Sequence, residues 1–377
     1  MNRSAIFTDT TSVVDYVECQ KYIQGSVGLV AQGGGQRGIF TAGVLDAFLE
    51  SSFDPFSLFI GTSAGAVNLC AYLSRQHGFG KKYLTDVISD PKFFNLFDYV
   101  RHSKSMDLNW AFNQLNQAPH KFDMDMAKFT LANRTALAAV TNEKTLHDGY
   151  LPLFSNQSSP PLMDILKATC AIPMLYPEPI SINGEHWIDG GVSAAIPVQE
   201  AWRRGARIIV TIRTEPIGTV EAPIKAVVKP HAESHPLKRF QTEVSNRYDE
   251  MVTGWQGFLQ ETIKELVQQH ADIDVEQVLK GGRWLFGSND LFRLATLTGG
   301  KLDSQLIDQL LVHYQTYDLT STFLQSPPDD CFVIQLAPEE PLVATALLSK
   351  ADDLEHDYQM GLATGRKFVS FYRDFTV

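Results

Sequence analysis

Two glycine-rich turns, each at the end of a short apolar run, constrain this chain more than any other feature. Residues 27–32, Val-Gly-Leu-Val-Ala-Gln, break into Gly33-Gly34-Gly35-Gln36-Arg37-Gly38, and Phe56-Ser57-Leu58-Phe59-Ile60 breaks into Gly61-Thr62-Ser63-Ala64-Gly65. Apolar runs of this length that stop at glycine read as buried strands. After the first turn, Phe40, Val44, Leu45, Phe48 and Leu49 recur at helical spacing over 38–50, and a second helix fits 66–75. Strand, helix, strand, helix in close succession predicts a βαβ arrangement with a parallel sheet.

The second turn fits G-x-S-x-G, the pattern of a nucleophile elbow. A serine there sits on a sharp strand-to-helix turn, with flanking glycines relieving clashes that side chains would cause. The first turn also fits G-x-G-x-x-G, so a dinucleotide site competes. That motif wants an acidic residue about 20 positions on, at the end of the second strand, to hold a ribose. Asp54 has nearly the spacing but precedes that strand, whose end is Gly61-Thr62-Ser63. Consecutive glycines suit another role equally well, because their unhindered N–H groups can converge on an oxyanion.

The two turns supply no base; in Trp187-Ile188-Asp189-Gly190-Gly191 an aspartate stands between a strand-like stretch and two glycines. An isolated Asp-Gly-Gly is usually a turn. Taken in order, Gly-Gly-Gly-x-Arg-Gly (33–38), Gly-Thr-Ser-Ala-Gly (61–65) and Asp-Gly-Gly (189–191) resemble the three motifs of the patatin-like phospholipase family, over roughly residues 25–215. The resemblance implies a three-layer α/β/α sandwich with a mostly parallel sheet. It also implies lipid acyl hydrolysis without metal or cofactor, by a Ser–Asp dyad in place of a triad. Carried over, Ser63 is the nucleophile and Asp189 the proton acceptor, with Gly34, Gly35 and Arg37 at the oxyanion hole. The motif glycines are Gly33, Gly35, Gly38, Gly61, Gly65, Gly190 and Gly191. Cys170-Ala171-Ile172-Pro173 resembles a family segment leading to the Asp strand.

The rest of the chain is divided by composition. Residues 1–24 form an N-terminal segment, and 25–215 the acyl hydrolase domain, with further strands at 135–141 and 207–213 and helices at 162–171 and 197–205. Pro216, Pro223, Pro230 and Pro236 mark a linker over 216–240. Residues 241–377 read as a mainly helical C-terminal region, with helices at 241–270, 303–319 and 347–373 and one strand candidate at 331–336. A net charge of −11 argues against a nucleic-acid partner. Four dispersed cysteines without a CxxC pair suit a reducing cytoplasm. No charge-free apolar stretch reaches about 18 residues, so no transmembrane segment is expected. A lipid ester would then be met from the aqueous side, through transient contact with a membrane surface.

Phe93, Phe94, Leu96, Phe97, Tyr99 and Val100 form the densest aromatic cluster, read first as core and second as an acyl-chain wall. Lys225, Lys229, Lys238 and Arg239 read as a solvated linker, and His147-Asp148 as loop. A Ser-His-Asp esterase of small soluble esters stays open, because His231, His235, His270, His313 and His356 all follow Asp189. None of them stands in a recognisable motif. A catalytically silent lipid- or protein-binding module on the same fold is the other alternative.

Overall fold

The computed structural model describes residues 3–22, 24–95, 106–154, 161–173, 175–176, 178–217 and 304–376, which belong to one compact unit. Ten strands among them form one mixed sheet: β1 (Ser4–Phe7), β2 (Ser12–Val13), β3 (Val27–Ala31), β4 (Leu58–Thr62), β5 (Thr135–Asn142), β6 (Asp148–Pro152), β7 (Ile180–Ile182), β8 (Glu185–Asp189), β9 (Ile208–Ile212) and β10 (Phe332–Leu336). Their order is β2-β1-β10-β9-β3-β4-β5-β8-β7, with β6 paired to β5 off this path. The run from β1 to β5 is parallel, and β2, β6, β7 and β8 join antiparallel.

The central strands are apolar throughout because helices cover both faces. On one face Leu29, Phe59, Val210 and Phe332 meet Phe40, Phe48 and Phe368, from α1 (Gly38–Glu50), which leads from β3 toward β4, and from the C-terminal helix. On the other, Val30, Ile60, Ile209 and Val333 meet Val198, Ala201 and Leu324. The chain is therefore a three-layer α/β/α sandwich. The main helices after α1 are α2 (Ala64–Leu73), α3 (Leu162–Cys170), α4 (Val198–Arg203), α5 (Ser304–Gln325) and α6 (Ala351–Thr376). The helix expected at 38–50 forms with those bounds, the one expected at 162–171 ends one residue sooner, at Cys170, and the one expected at 197–205 is trimmed at both ends to Val198–Arg203. Among the described residues no helix is long and apolar enough to cross a membrane.

The C-terminal region differs from its sequence reading. Its helices at 304–325 and 351–376 and its strand at 332–336 are present, but they do not stand apart from residues 25–215. β10 lies inside the sheet, with Phe332 opposite Ile208 of β9 and Val333 opposite Ser4 of β1. The N-terminal segment supplies β1, so it too is part of the same sheet. The physical reason is that β10 is buried at all five positions and needs neighbours on both edges and both faces. Composition records the proline-rich break but not a strand pairing across it. The linker at 216–240, its Lys225, Lys229, Lys238 and Arg239, and the helix expected at 241–270 lie outside the described residues.

α6 packs along α1, where Tyr358 Oη donates to Asp46 Oδ2 at 2.8 Å. A Cβ at Gly361 would stand 2.1 Å from the Phe40 carbonyl oxygen, and one at Gly43 2.3 Å from that of Tyr358. Gly361→Ala should therefore force the helices apart and cost about 1–3 kcal/mol. Thermal or urea unfolding measures this, and a melting curve unchanged from wild type would contradict the packing described.

Candidate active site

Both glycine-rich turns lie at the carboxyl ends of adjacent parallel strands, β3 and β4. The chain leaves β3 for β4 on one side, and β9 flanks β3 on the other. Ligands of open α/β sheets bind in the crevice at such a reversal of strand order. Ser63 follows β4 directly, with φ 51° and ψ −125°, and α2 starts at the next residue. Its N–H donates to Thr169 Oγ1 at 2.9 Å, and that hydroxyl donates to the Ala139 carbonyl at 2.5 Å. Thr62 Oγ1 donates to Ala194 O at 2.7 Å. A Cβ at Gly65 would stand 2.4 Å from the Ala31 carbonyl oxygen, so only glycine lets the elbow approach the end of β3 this closely.

The first turn becomes a short 3-10 segment, Gly35–Arg37, with Gly35 at φ 57°. Gly33 donates its N–H to Ala195, Gln36 to Ala346 and Arg37 to Gly34. Among the described residues no acceptor takes the N–H of Gly34 or Gly35. Arg37, grouped with the oxyanion loop from the sequence, is differently employed. Its Nη1 pairs with Glu215 at 3.0 Å, and Glu215 accepts from Tyr317 Oη at 2.6 Å. Burial raises the Glu215 pKa, but Arg37, Tyr317 and Arg213 together outweigh it and hold the carboxyl down at about 2. Gln36 is fully buried, and its amide joins Ser89 Oγ at 2.6 Å and the Ser349 N–H at 2.8 Å.

Asp189 ends β8. Its backbone N–H donates to Ala171 O at 2.9 Å, and Thr141 Oγ1 donates to its carbonyl at 2.9 Å. One carboxyl oxygen, Oδ1, accepts from the Gly191 N–H at 2.6 Å. The other, Oδ2, is buried without a hydrogen-bond partner. Burial pushes the Asp189 pKa up to about 7, against the pull of the Gly191 N–H and the nearby Ser63 hydroxyl. Ser63 Oγ itself lies 3.7 Å from Cys170 Sγ, whose thiol burial keeps protonated.

Ser63, Gly35 and Cys170 line one cavity of about 60 Å³ whose other walls are largely apolar, among them Val67, Phe93, Phe112 and Leu347. The aromatic cluster thus serves both readings: Phe93 and Phe94 are buried, and Phe93 faces the cavity. Leu96, Phe97, Tyr99 and Val100 lie outside the described residues, as do His231, His235 and His270. His147 is in the exposed turn between β5 and β6, as expected of a loop, whereas Asp148, read with it, is the first residue of β6 and pairs with Thr141 of β5. His356 has an exposed side chain, but its neighbour Asp357 does not share a solvated face. Asp357 is fully buried and accepts from the N–H groups of Val343 and Ala344.

His313 is buried on α5, with Nδ1 2.7 Å from the Gly191 carbonyl. A carbonyl only accepts, so Nδ1 carries the proton, and burial lowers the His313 pKa to about 4. Sequence reasoning passed over Tyr317, Glu215, Thr169 and Leu347 as parts of the site, and named His313 only as one of five histidines open to a triad. Only Thr169 had a nearby signal, in the Cys170-Ala171-Ile172-Pro173 segment that follows it.

Residues 29–202 match the family model described as patatin-like phospholipase, and residues 303–377 match a domain of unknown function, DUF6363. The uncharacterized protein YjjU of Escherichia coli (strain K12) is 30% identical over 348 residues, covering 92% of this chain and 78% of YjjU. The crystal structure of VipD from Legionella pneumophila aligns over 91% of this chain and 67% of VipD, at 11% identity and a TM-score of 0.32. With the glycine-rich loop, serine elbow and Asp-Gly-Gly turn all inside the matched segment, the chain belongs to the patatin-like phospholipase family.

Proposed function

We propose that this protein hydrolyses acyl esters of phospholipids or related lipids, with Ser63 as nucleophile and Asp189 as its base. The observation that carries this reading is the Asp189 carboxyl, buried beside Ser63 with one oxygen unpartnered. A carboxylate in water is too weak a base for an alcohol. Burial that raises its pKa to about 7 makes it a better proton acceptor while leaving it ionised above that pH. The Ser63 hydroxyl turns from Cys170 to Oδ2 and passes its proton there as Oγ attacks the ester carbonyl. The N–H groups of Gly34 and Gly35 receive the carbonyl oxygen as it becomes an oxyanion, each worth about 3–4 kcal/mol. Collapse of this intermediate breaks the ester bond, and the departing alkoxide takes the proton from Asp189. Water then attacks the acyl-enzyme, giving its proton to Asp189, and Ser63 regains that proton as the fatty acid leaves.

The apolar walls around Ser63 favour an acyl chain over a small polar ester. Arg37 enters as the holder of the glycine loop. The alternative triad would need a histidine at Ser63, and the buried histidine of α5 reaches the Asp-Gly-Gly turn instead.

A fluorophosphonate probe should label the wild-type protein and not Ser63→Ala. Asp189→Asn should lower kcat by about a thousandfold or more, since an amide cannot accept the serine proton. Full activity in either variant would remove the dyad. Because Asp189 must be deprotonated to act, kcat/KM should fall below pH 7 and level off above it. A profile flat from pH 5 to pH 8 would mean that another group supplies the base. Released fatty acid should be greater from phospholipid, lysophospholipid or acylglycerol than acetate from p-nitrophenyl acetate; turnover of the acetate alone would refute the lipid assignment.

A further inference from the structure

α5 brings two side chains of one face to the two halves of the site. His313 and Tyr317 are four residues apart, one helical turn, with ring centroids 5.8 Å apart. The His313 Nδ1–H donates to the Gly191 carbonyl, and the N–H of the same Gly191 donates to Asp189 Oδ1. The Tyr317 hydroxyl donates to Glu215, which pairs with Arg37 within the glycine loop. Arg213 Nη1 donates to Gln335 Oε1 at 3.0 Å and Nη2 reaches Tyr317 Oη at 3.4 Å, so the arrangement is anchored on β10 as well. The loop before α6 reaches the site as well, since Ala346 O accepts the Gln36 N–H and Leu347 walls the cavity.

We propose that residues 304–376, the segment matching a domain of unknown function, are a working part of the active site, and that His313 and Tyr317 are its positioning residues. His313 sets the turn that presents Asp189, and Tyr317, through Glu215 and Arg37, sets the loop that presents the Gly34 and Gly35 N–H groups. Neither touches the reacting atoms. Both act because a catalytic group must be held to within about half an ångström, and a misplacement of about 1 Å costs about a hundredfold. Tyr317 and Glu215 face His313, while Asp189 is faced by the Ser63 hydroxyl, the Cys170 thiol and the Gly191 N–H.

This inference rests on the Ser63–Asp189 reading, and the two can fail separately. The test compares full-length wild type, Ser63→Ala, Tyr317→Phe, His313→Leu and His313→Asn for kcat, KM and the pH dependence of kcat/KM on one ester substrate. Tyr317→Phe, which deletes a single oxygen, should lower kcat about tenfold or more with KM within about twofold and the acid limb in place. His313→Leu should lower kcat and move the acid limb to higher pH, because a loosened Gly191 N–H no longer pulls the Asp189 pKa down. His313→Asn, which keeps an N–H near the Nδ1 position, should restore both. If Ser63→Ala keeps its activity, the dyad falls. If Ser63→Ala is inactive while Tyr317→Phe and His313→Leu both retain wild-type kcat and pH profile, the inference alone is overturned. It is equally overturned if their losses match a drop in melting temperature with no movement of the limb. Should His313→Leu fail to fold by circular dichroism, His313→Asn decides: a displaced limb with native folding contradicts the role given to the N–H.

Discussion

Ser63 is held at φ 51° and ψ −125°, a backbone state that costs a non-glycine residue on the order of 1–3 kcal/mol. Much of the surrounding structure can be read as what keeps it there. Its N–H is tied through Thr169 to β5, and Thr62 is tied to Ala194. α2 starts on its carbonyl, which accepts from Ala66 and Val67. Asn68 of that helix donates to the Gly38 carbonyl at the start of α1. The strain therefore persists because four separate elements share in imposing it. The backbone of a serine on a relaxed loop could shift freely, and that of Ser63 cannot.

Asp189 carries the opposite kind of tension, electrostatic where that of Ser63 is torsional. A carboxyl with an unpartnered buried oxygen is destabilising in its charged form. With a folded pKa of about 7 against an ordinary value of 3.8, its contribution to stability is fully present below pH 3.8. That contribution is lost as pH rises through 7, where the buried charge must form. In the proposed mechanism the same ionisation makes it the base, so stability and the proposed catalysis would draw on this one residue in opposite directions. The hydrogen bond from the Gly191 N–H limits the conflict by stabilising one oxygen, Oδ1, while Oδ2 stays unpartnered.

Much of this was legible in the sequence wherever the signal was local. The loop at 33–38, the elbow at 61–65 and the turn at 189–191 each announce their backbone through glycine, and helix 38–50 announces itself through its apolar spacing. Their meeting was legible only through the resemblance, since nothing in Asp189 alone distinguishes a base from a turn. The supporting residues carry no such mark. His313 and Tyr317 have the spacing of any helix face, and Glu215 follows a buried strand like many solvated acids. Arg37 looked like an oxyanion donor because its motif position is visible, whereas its partner lies far along the chain. β10 was recognised as a strand, but its place between β1 and β9 has no trace in local pattern.

That place bears on how the protein is made. Synthesis delivers β3, β4, β5 and β9 well before β10, so a growing chain carries β9 with one row of backbone groups unpaired and an apolar face uncovered. An open parallel edge of this kind invites pairing with other chains. It also depends on closing a very long loop before any reward is gained, which makes the pairing slow. β1, which precedes β3 in the chain, must wait longer still, because its parallel neighbour is also β10. The nascent protein thus holds its serine and its aspartate long before it holds the helix beside them, and the period in between is the one in which a chaperone would have something to protect.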